Sequence, residues 1–401
     1  MHIGFDISQT GSGKAGCGYF THAMITALLA QAPRHRYALY PSFGDFFLDA
    51  NMPATSPYQG TNVHYGQRHV TMEGARGYWS QGNLEAVLGN PDIIHSNNFW
   101  IPLQISSSRL IYTLYDAGFV VDPTWTTEGN RIGCFDGIFR SAVAADWVVA
   151  ISEYTRSHYL KTFPHFPGER VRVVYPCSRF TDCEQQGTAP KLLKDLGAKA
   201  FWLSVGTIEP RKNQRMLLLA YKRYLDAGGR PMPLVLAGGK GWLMDDFKDY
   251  VAELGLSDQV ILTGYVSDEE LIWLYRNCYA SLYPSVFEGF GLPVLEGMQF
   301  GAATICSNTT SMPEVAGDAA ILLSPDAPDA WTRNMLELAL DEVRRQQLSI
   351  AGQQRARQFD WKRSAEAMLE IYDLALQSPK RSNMANTTSP KSGHAQLENH
   401  D

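Results

Sequence analysis

Two glutamates with seven residues between them frame the stretch Pro284-Ser285-Val286-Phe287-Glu288-Gly289-Phe290-Gly291-Leu292-Pro293-Val294-Leu295-Glu296. Gly289 and Gly291 bare backbone N–H groups where a helix is predicted to begin. The positive end of that helix dipole favours a phosphate. Glu296 lies about one turn into the helix and faces the same crevice. Its carboxylate can take paired hydrogen bonds from ribose hydroxyls. A lone glutamate here would read as ordinary helix-end charging. The whole string, with its glycines and prolines, reads as a binding site.

Two further stretches carry candidate chemistry. Gly206-Thr207-Ile208-Glu209-Pro210-Arg211-Lys212-Asn213 sits between a predicted strand and a helix. The adjacent cations Arg211 and Lys212 can hold a diphosphate, although such a pair is commonly just solvated. Gly-Ser-Gly-Lys-Ala-Gly-Cys-Gly at 11–18 invites comparison with a Walker phosphate loop. It fails the test: the first glycine is missing, and Ala15 stands where a magnesium-binding hydroxyl belongs. Gly16 and Gly18 still open a helix, where small residues allow close approach of a ligand. A tight turn for packing explains them as well. His95, in Ile94-His95-Ser96-Asn97, ends a predicted strand and is a candidate acceptor contact or a structural polar residue.

The elements that must position these residues alternate strand and helix. Strands are predicted at Met1–Ile7, Tyr37–Tyr40, Ile93–His95, Leu110–Thr113, Trp147–Ile151 and Val171–Val174. Helices between them include Tyr19–Ala30, Arg131–Ala145 and Glu153–Phe163. A polar linker, Ser178–Lys191, precedes a second, clearer series from Ala200 to Cys306. The predicted class is α/β: two Rossmann-like, doubly wound parallel-sheet domains facing a central cleft. The domains span 1–185 and 190–360. A helix at 361–377 is placed to pack back on the first. Polar residues 378–401 read as a disordered tail.

Composition narrows the function. A chain of 401 residues holds two or three domains at roughly 100–200 residues each. Hydrophobic residues at 45% and charged residues at 19% describe a folded globular protein. A net charge of −6 carries no basic bias toward nucleic acid. No apolar run is long enough for a membrane span, and Met1–Asp6 has no basic leader, so the expected location is cytoplasmic. The six cysteines form no Cys-x-x-Cys and read as reduced thiols. Asp245-Asp246 is not a strand-borne Asp-x-Asp, and no ligand cluster is evident. No catalytic metal and no cofactor are expected.

The string 284–296 resembles the Glu-x₇-Glu motif of the retaining glycosyltransferases of family four, which have the GT-B fold. Gly16-Cys17-Gly18-Tyr19, the 206–213 segment, Gly264-Tyr265-Val266-Ser267 and Ser311-Met312-Pro313-Glu314-Val315-Ala316-Gly317 resemble that family in order and spacing. The resemblance covers roughly residues 1–378. It implies that Arg211 and Lys212 hold the donor diphosphate and that Glu288 binds the transferred sugar. Gly289, Phe290, Gly291 and Leu292 would offer backbone contacts, Glu296 would bind the ribose, and Val266 would flank the base. Gly16 and Gly18 would approach the phosphates from the other domain.

One position departs from the family. Tyr115-Asp116 stands where His-Asp is usual, and Tyr19 where Arg is frequent. A tyrosine can hydrogen-bond a sugar but is no base near neutral pH. The resemblance implies a nucleotide-sugar donor, which is a substrate, and a saccharide or lipid-linked saccharide acceptor. GDP-mannose is the first expectation, because the Glu-Pro-Arg-Lys-Asn string resembles that of mannosyltransferases of bacterial surface polysaccharides. UDP-glucose and other donors stay open. A lipid-linked acceptor would bring peripheral membrane contact, though no strong basic amphipathic helix marks it. The alternatives are a non-catalytic nucleotide-sugar-binding paralogue and another GT-B enzyme, such as a nucleotide-sugar epimerase.

Overall fold

The computed structural model describes residues 1–8, 10, 16–40, 58–66, 84–97, 99, 101–181 and 183–381. The first sheet joins β1 (His2–Asp6), β2 (Arg36–Tyr40), β3 (Val63–Tyr65), β4 (Ile93–Ser96), β5 (Arg109–Leu114), β6 (Trp147–Ala150) and β7 (Val171–Val173). Its spatial order is β3-β2-β1-β4-β5-β6-β7. The second sheet joins β8 (Trp202–Val205), β9 (Leu234–Ala237), β10 (Val260–Gly264), β11 (Ala280–Tyr283), β12 (Ala303–Ser307) and β13 (Ile321–Leu323) in the order β10-β9-β8-β11-β12-β13. The pairings between neighbours are parallel. Strands covered on both faces need no solvated side, so they are continuous apolar runs: β6 is Trp-Val-Val-Ala, buried throughout.

In each sheet the order reverses beside the first strand. β1 lies between β2 and β4, and β8 between β9 and β11. Loops leaving the C-terminal ends of strands at such a switch point line a crevice. Gly16 and Gly18 follow β1, Tyr115 and Asp116 follow β5, Arg211 and Lys212 follow β8, and Glu288 follows β11. Local signals fix the intervening helices. Gln214–Asp226 buries Leu217, Leu218, Tyr221 and Tyr224 on one face. Asp268–Asn277 starts on a capping box: Glu270 N–H donates to Ser267 Oγ at 3.2 Å, and Ser267 N–H to Glu270 Oε2 at 2.9 Å. Such a cap is worth about 1 kcal/mol.

The helix Trp361–Gln377 returns to the first unit, packing along Gly16–Gln31. Its Ala365, Met368, Ile371 and Tyr372 share one apolar cluster with Ile3, Phe5 and Met24 of the first unit and Val294 and Met298 of the second. One core therefore runs through both units. The linker stretch is irregular but pinned along the second unit: Thr188 N–H donates to Glu269 O at 3.1 Å, and Arg276 Nε to Gln185 O at 2.9 Å.

The reading of a tail from Ser378 needs correction at its start. Lys380 is buried, and its Nζ donates to Ile105 O at 2.7 Å and Ser108 O at 2.8 Å. Arg381 donates from its backbone N–H to Asp146 Oδ1 at 2.6 Å and from Nε to Ala145 O at 2.8 Å. These cations dock on backbone carbonyls rather than by burying apolar surface, so composition does not reveal them. Residues 382–401 lie outside the described residues. The edge strands β3 and β13 and the helix Met312–Ala316 were also not expected, since three to five residues carry too little periodicity.

Candidate active site

The loop after β8 is built to aim two cations. Gly206 takes a positive φ of 150°, and Pro210–Lys212 forms one 3₁₀ turn. Asn213, left-handed at φ 58°, donates from Nδ2 to Pro284 O at 3.2 Å and Pro325 O at 2.9 Å. Val286 N–H donates to Arg211 O at 2.9 Å, tying this loop to the one after β11. Arg211 is oriented further by Glu209, whose Oε1 accepts from Nη2 at 3.1 Å.

Both cations converge on Glu288. Lys212 Nζ donates to Glu288 Oε1 at 2.6 Å and to the Tyr283 hydroxyl at 2.9 Å. Tyr283 and Ser285 donate to the same carboxylate oxygen at 2.8 and 2.7 Å. Arg211 Nη1 reaches Oε2 at 3.2 Å. Burial pushes the Glu288 carboxyl up, but Lys212, Arg211 and the hydrogen bonds more than offset it and hold the pKa down at about 2. Its backbone N–H donates to Thr310 Oγ1 at 3.2 Å. Thr310 holds φ at 55°, an unusual state for a β-branched residue. Local strain is thus accepted where the carboxylate is fixed.

The helix Leu292–Gln299 presents its N-terminus to the same place. Gly291 is its N-cap at φ 104°, and no side chain among the described residues caps it. That leaves an open end suited to an anion. Glu296, one turn in, is buried, and its Oε2 accepts the Tyr275 hydroxyl at 3.2 Å. Burial raises its pKa to about 7, against the pull of Arg179 and Tyr275. Val266 is half-buried against the core of the second unit.

From the first unit, Gly16 has no atom of the other described residues, its chain neighbours apart, within 4 Å of where its Cβ would stand. Gly18 is buried. The 11–15 stretch weighed as a phosphate loop lies outside the described residues. Asp116 stands 3.8 Å from Arg211 Nη1 across the cleft. Tyr115, standing where the family's histidine is usual, turns its hydroxyl into the first unit. Its hydroxyl lies within hydrogen-bonding distance of Thr21 Oγ1 at 3.0 Å and donates to Asn97 O at 3.1 Å, inside the first unit. The longer side chain carries its polar end past the cleft and into the packing beneath the first helix. His95, read as an acceptor contact or a structural polar residue, lies among the buried polar side chains. It is fully buried, with Nδ1 2.6 Å from the Tyr372 hydroxyl and Nε2 2.8 Å from Thr113 Oγ1. Burial holds its pKa down at about 3, so the ring is neutral and both nitrogens are engaged.

Several residues at the cleft were not singled out from sequence. Ser152 Oγ and Thr155 Oγ1 of the first unit donate to Gly289 O at 2.6 and 3.1 Å. Gly289 can approach so closely only because it lacks a side chain: a Cβ there would lie 2.0 Å from Tyr115 O. Phe287 packs among Trp125, Tyr154 and His158. Glu314 accepts the Glu153 N–H at 2.8 Å and the Tyr175 hydroxyl at 2.7 Å. Ser152 is legible as an N-cap before Glu153, and Glu314 stands in a quoted motif, but nothing in the sequence pairs them with the other unit.

Two doubly wound units, closed over a cleft that gathers paired cations, a buried glutamate and an open helix end, define the GT-B class. Residues 190–355 match the family described as glycosyl transferases group 1. Over 286 residues the chain is 32% identical to the O-antigen chain mannosyltransferase B of Escherichia coli, covering 70% of this chain and 74% of that one. It is 28% identical over 443 residues to the serotype-specific mannosyltransferase WbdA of Escherichia coli, covering 99% of this chain but 51% of that relative, so it spans about half of WbdA. Among solved structures, the sucrose-phosphate synthase of Thermosynechococcus elongatus superposes with a TM-score of 0.72 at 18% identity, covering 94% of this chain and 100% of that one. HepE of Anabaena in complex with UDP-glucose gives 0.65 at 18% identity, covering 93% and 100%. The chain belongs to the glycosyl transferases group 1 family and is a glycosyltransferase.

Proposed function

We propose that this enzyme transfers mannose from GDP-mannose to a saccharide, free or lipid-linked, in the assembly of a surface polysaccharide, with retention at the anomeric carbon. The carrying observation is Glu288, buried and anionic beneath Lys212 and Arg211 at the open end of Leu292–Gln299. The names of the relatives, O-antigen and serotype-specific mannosyltransferases, support the sugar and the pathway.

In this reading Glu288 parks the two cations until a donor arrives. Lys212 and Arg211 then turn to the diphosphate, and Glu288 is freed to bind the hydroxyls of the mannose. As the C–O bond to the diphosphate breaks, the growing negative charge meets Arg211, Lys212 and the helix N-terminus, while positive charge develops at the anomeric carbon. A leaving-phosphate oxygen takes the proton of the acceptor hydroxyl, and attack from the same face retains configuration. No side-chain base is required, which accommodates Tyr115 in place of histidine. No metal takes part, since side-chain cations and the helix end meet the diphosphate charge. Peripheral placement at the inner face of a membrane goes with a lipid-linked acceptor. No described helix is long and apolar enough to cross one.

A thermal-shift comparison of GDP, UDP and ADP tests the donor, because a ligand of the native state raises its melting point. Stabilisation by GDP well above that by UDP is expected; preference for UDP or ADP would overturn GDP-mannose. NMR of the product made from GDP-mannose then reads the linkage, α for retention and β against it.

A further inference from the structure

Arg179 lies in the stretch between the two sheets and was not among the candidate residues, yet it meets Glu296. The two oxygens of that buried carboxylate differ. Oε2 accepts the Tyr275 hydroxyl. Oε1 receives no hydrogen bond among the described residues and stands 3.5 Å from Arg179 Nε. That Nε is itself buried and has no hydrogen-bond partner among the described residues. The guanidinium is held by other contacts: it lies 4.4 Å from the Tyr19 ring centroid and 4.7 Å from that of Phe180, and Nη2 is 3.5 Å from Asp268. Tyr19 belongs to the first unit, so the clamp closes across the cleft.

We infer that Arg179 is a positioning residue for the nucleotide, holding Glu296 as an anion whose Oε1 stays open to the ribose hydroxyls. The inference rests on the nucleotide-sugar reading above. A carboxylate offers only acceptors to a hydroxyl, whereas a protonated carboxyl places a donor against one. Among the described residues, Arg179, Tyr275, Asp268 and the Tyr19 hydroxyl face Glu296. Burial and Asp268 favour the neutral form, while Arg179 and the Tyr275 hydroxyl favour the anion. With Arg179 present the balance sits near pH 7. Removing the cation moves it upward, so ribose recognition is retained at high pH and lost near neutrality. Contact with the Tyr19 and Phe180 rings holds the guanidinium in place beside Glu296.

Calorimetric titration with GDP and 2′,3′-dideoxy-GDP, and with the matching UDP pair, tests this between pH 6 and 9 for the native protein, Arg179→Met and Arg179→Lys. The native protein is expected to prefer the ribonucleotide by about tenfold at pH 8, the size of one charge-assisted hydrogen bond. In Arg179→Met that preference falls below about threefold at pH 7 and recovers toward pH 9, while Arg179→Lys keeps part of it. Unliganded melting curves report folding separately. An Arg179→Met protein that keeps the full preference with an unchanged pH midpoint would overturn the inference and leave the nucleotide site standing. Equal loss of both nucleotides at every pH would do the same. A native protein that ignores the ribose hydroxyls of both GDP and UDP would overturn the ribose reading of Glu296 along with it.

Discussion

Gly289→Ala separates the work of the closed cleft from the work of the donor loop alone. The backbone at 289 has no positive φ, so alanine is acceptable to the loop itself. The obstacle is the other unit: the new Cβ would lie 2.0 Å from Tyr115 O and 3.0 Å from Asp116 Cβ. The carbonyl is backbone and cannot rotate away, so the units must part locally by about 1 Å or more to restore ordinary contact. That movement strains the bonds from Ser152 and Thr155 to Gly289 O, now 2.6 and 3.1 Å. Two such bonds contribute about 1–3 kcal/mol. A displacement of roughly 1 Å at a reacting site costs about a hundredfold in rate. Steady-state transfer from GDP-mannose is therefore expected to fall about a hundredfold in kcat. The affinity for GDP by calorimetry should stay within about threefold (below 1 kcal/mol), because Lys212, Arg211 and Glu296 all belong to the second unit. A kcat near that of the native enzyme would refute the role of this closed contact. Loss of GDP affinity in step with kcat would place the defect in the donor loop instead.

Lys212→Ala should weaken GDP far more than guanosine, by about tenfold or more, since a cation on phosphate makes a charge-assisted bond; equal losses in titration would show that Lys212 does not meet the diphosphate. Tyr115→Phe should leave kcat within about threefold while lowering stability by about 1–2 kcal/mol, because the hydroxyl serves Thr21 and Asn97 rather than the cleft; a thousandfold loss of rate would return Tyr115 to the chemistry. Truncation before Ser378 should lower the melting temperature by about 4–8 °C through loss of the Lys380 and Arg381 contacts. Truncation after Arg381 should leave it unchanged, and equal melting of the two truncated forms would refute the docking.

Much of the fold is legible because it is written in local pattern. The apolar run of β6, the capping box at Ser267 and the restart of strand and helix after the linker need no knowledge of distant residues. The crevice follows from the same pattern, since a switch point gathers the loops after β8 and β11, and with them Lys212, Arg211 and Glu288. What sequence leaves hidden depends on partners far along the chain. His95 looks like a crevice residue until Tyr372, 277 positions away, takes one of its nitrogens. Tyr115 shares its place with the family's usual histidine, but its length carries the hydroxyl elsewhere. Ser152 and Thr155 reach a carbonyl more than 130 residues on. Arg179 sits in a stretch whose polarity reads as solvent exposure, and Lys380 in one whose composition reads as disorder.

The central claim is that a buried, anionic Glu288 serves transfer from a nucleotide sugar. Lys212 and Arg211 hold that carboxyl well below the usual carboxylate range, so glutamine at 288 removes a charge that is present at neutral pH. Release of GDP from GDP-mannose, followed with native enzyme and Glu288→Gln in parallel and with GDP binding measured on both, tests it most directly. Turnover by the native enzyme and a loss of about a hundredfold or more in Glu288→Gln, with GDP still bound, is the expected result. A variant retaining more than about a tenth of the native rate, less than 1.4 kcal/mol of lost transition-state stabilisation, would contradict it.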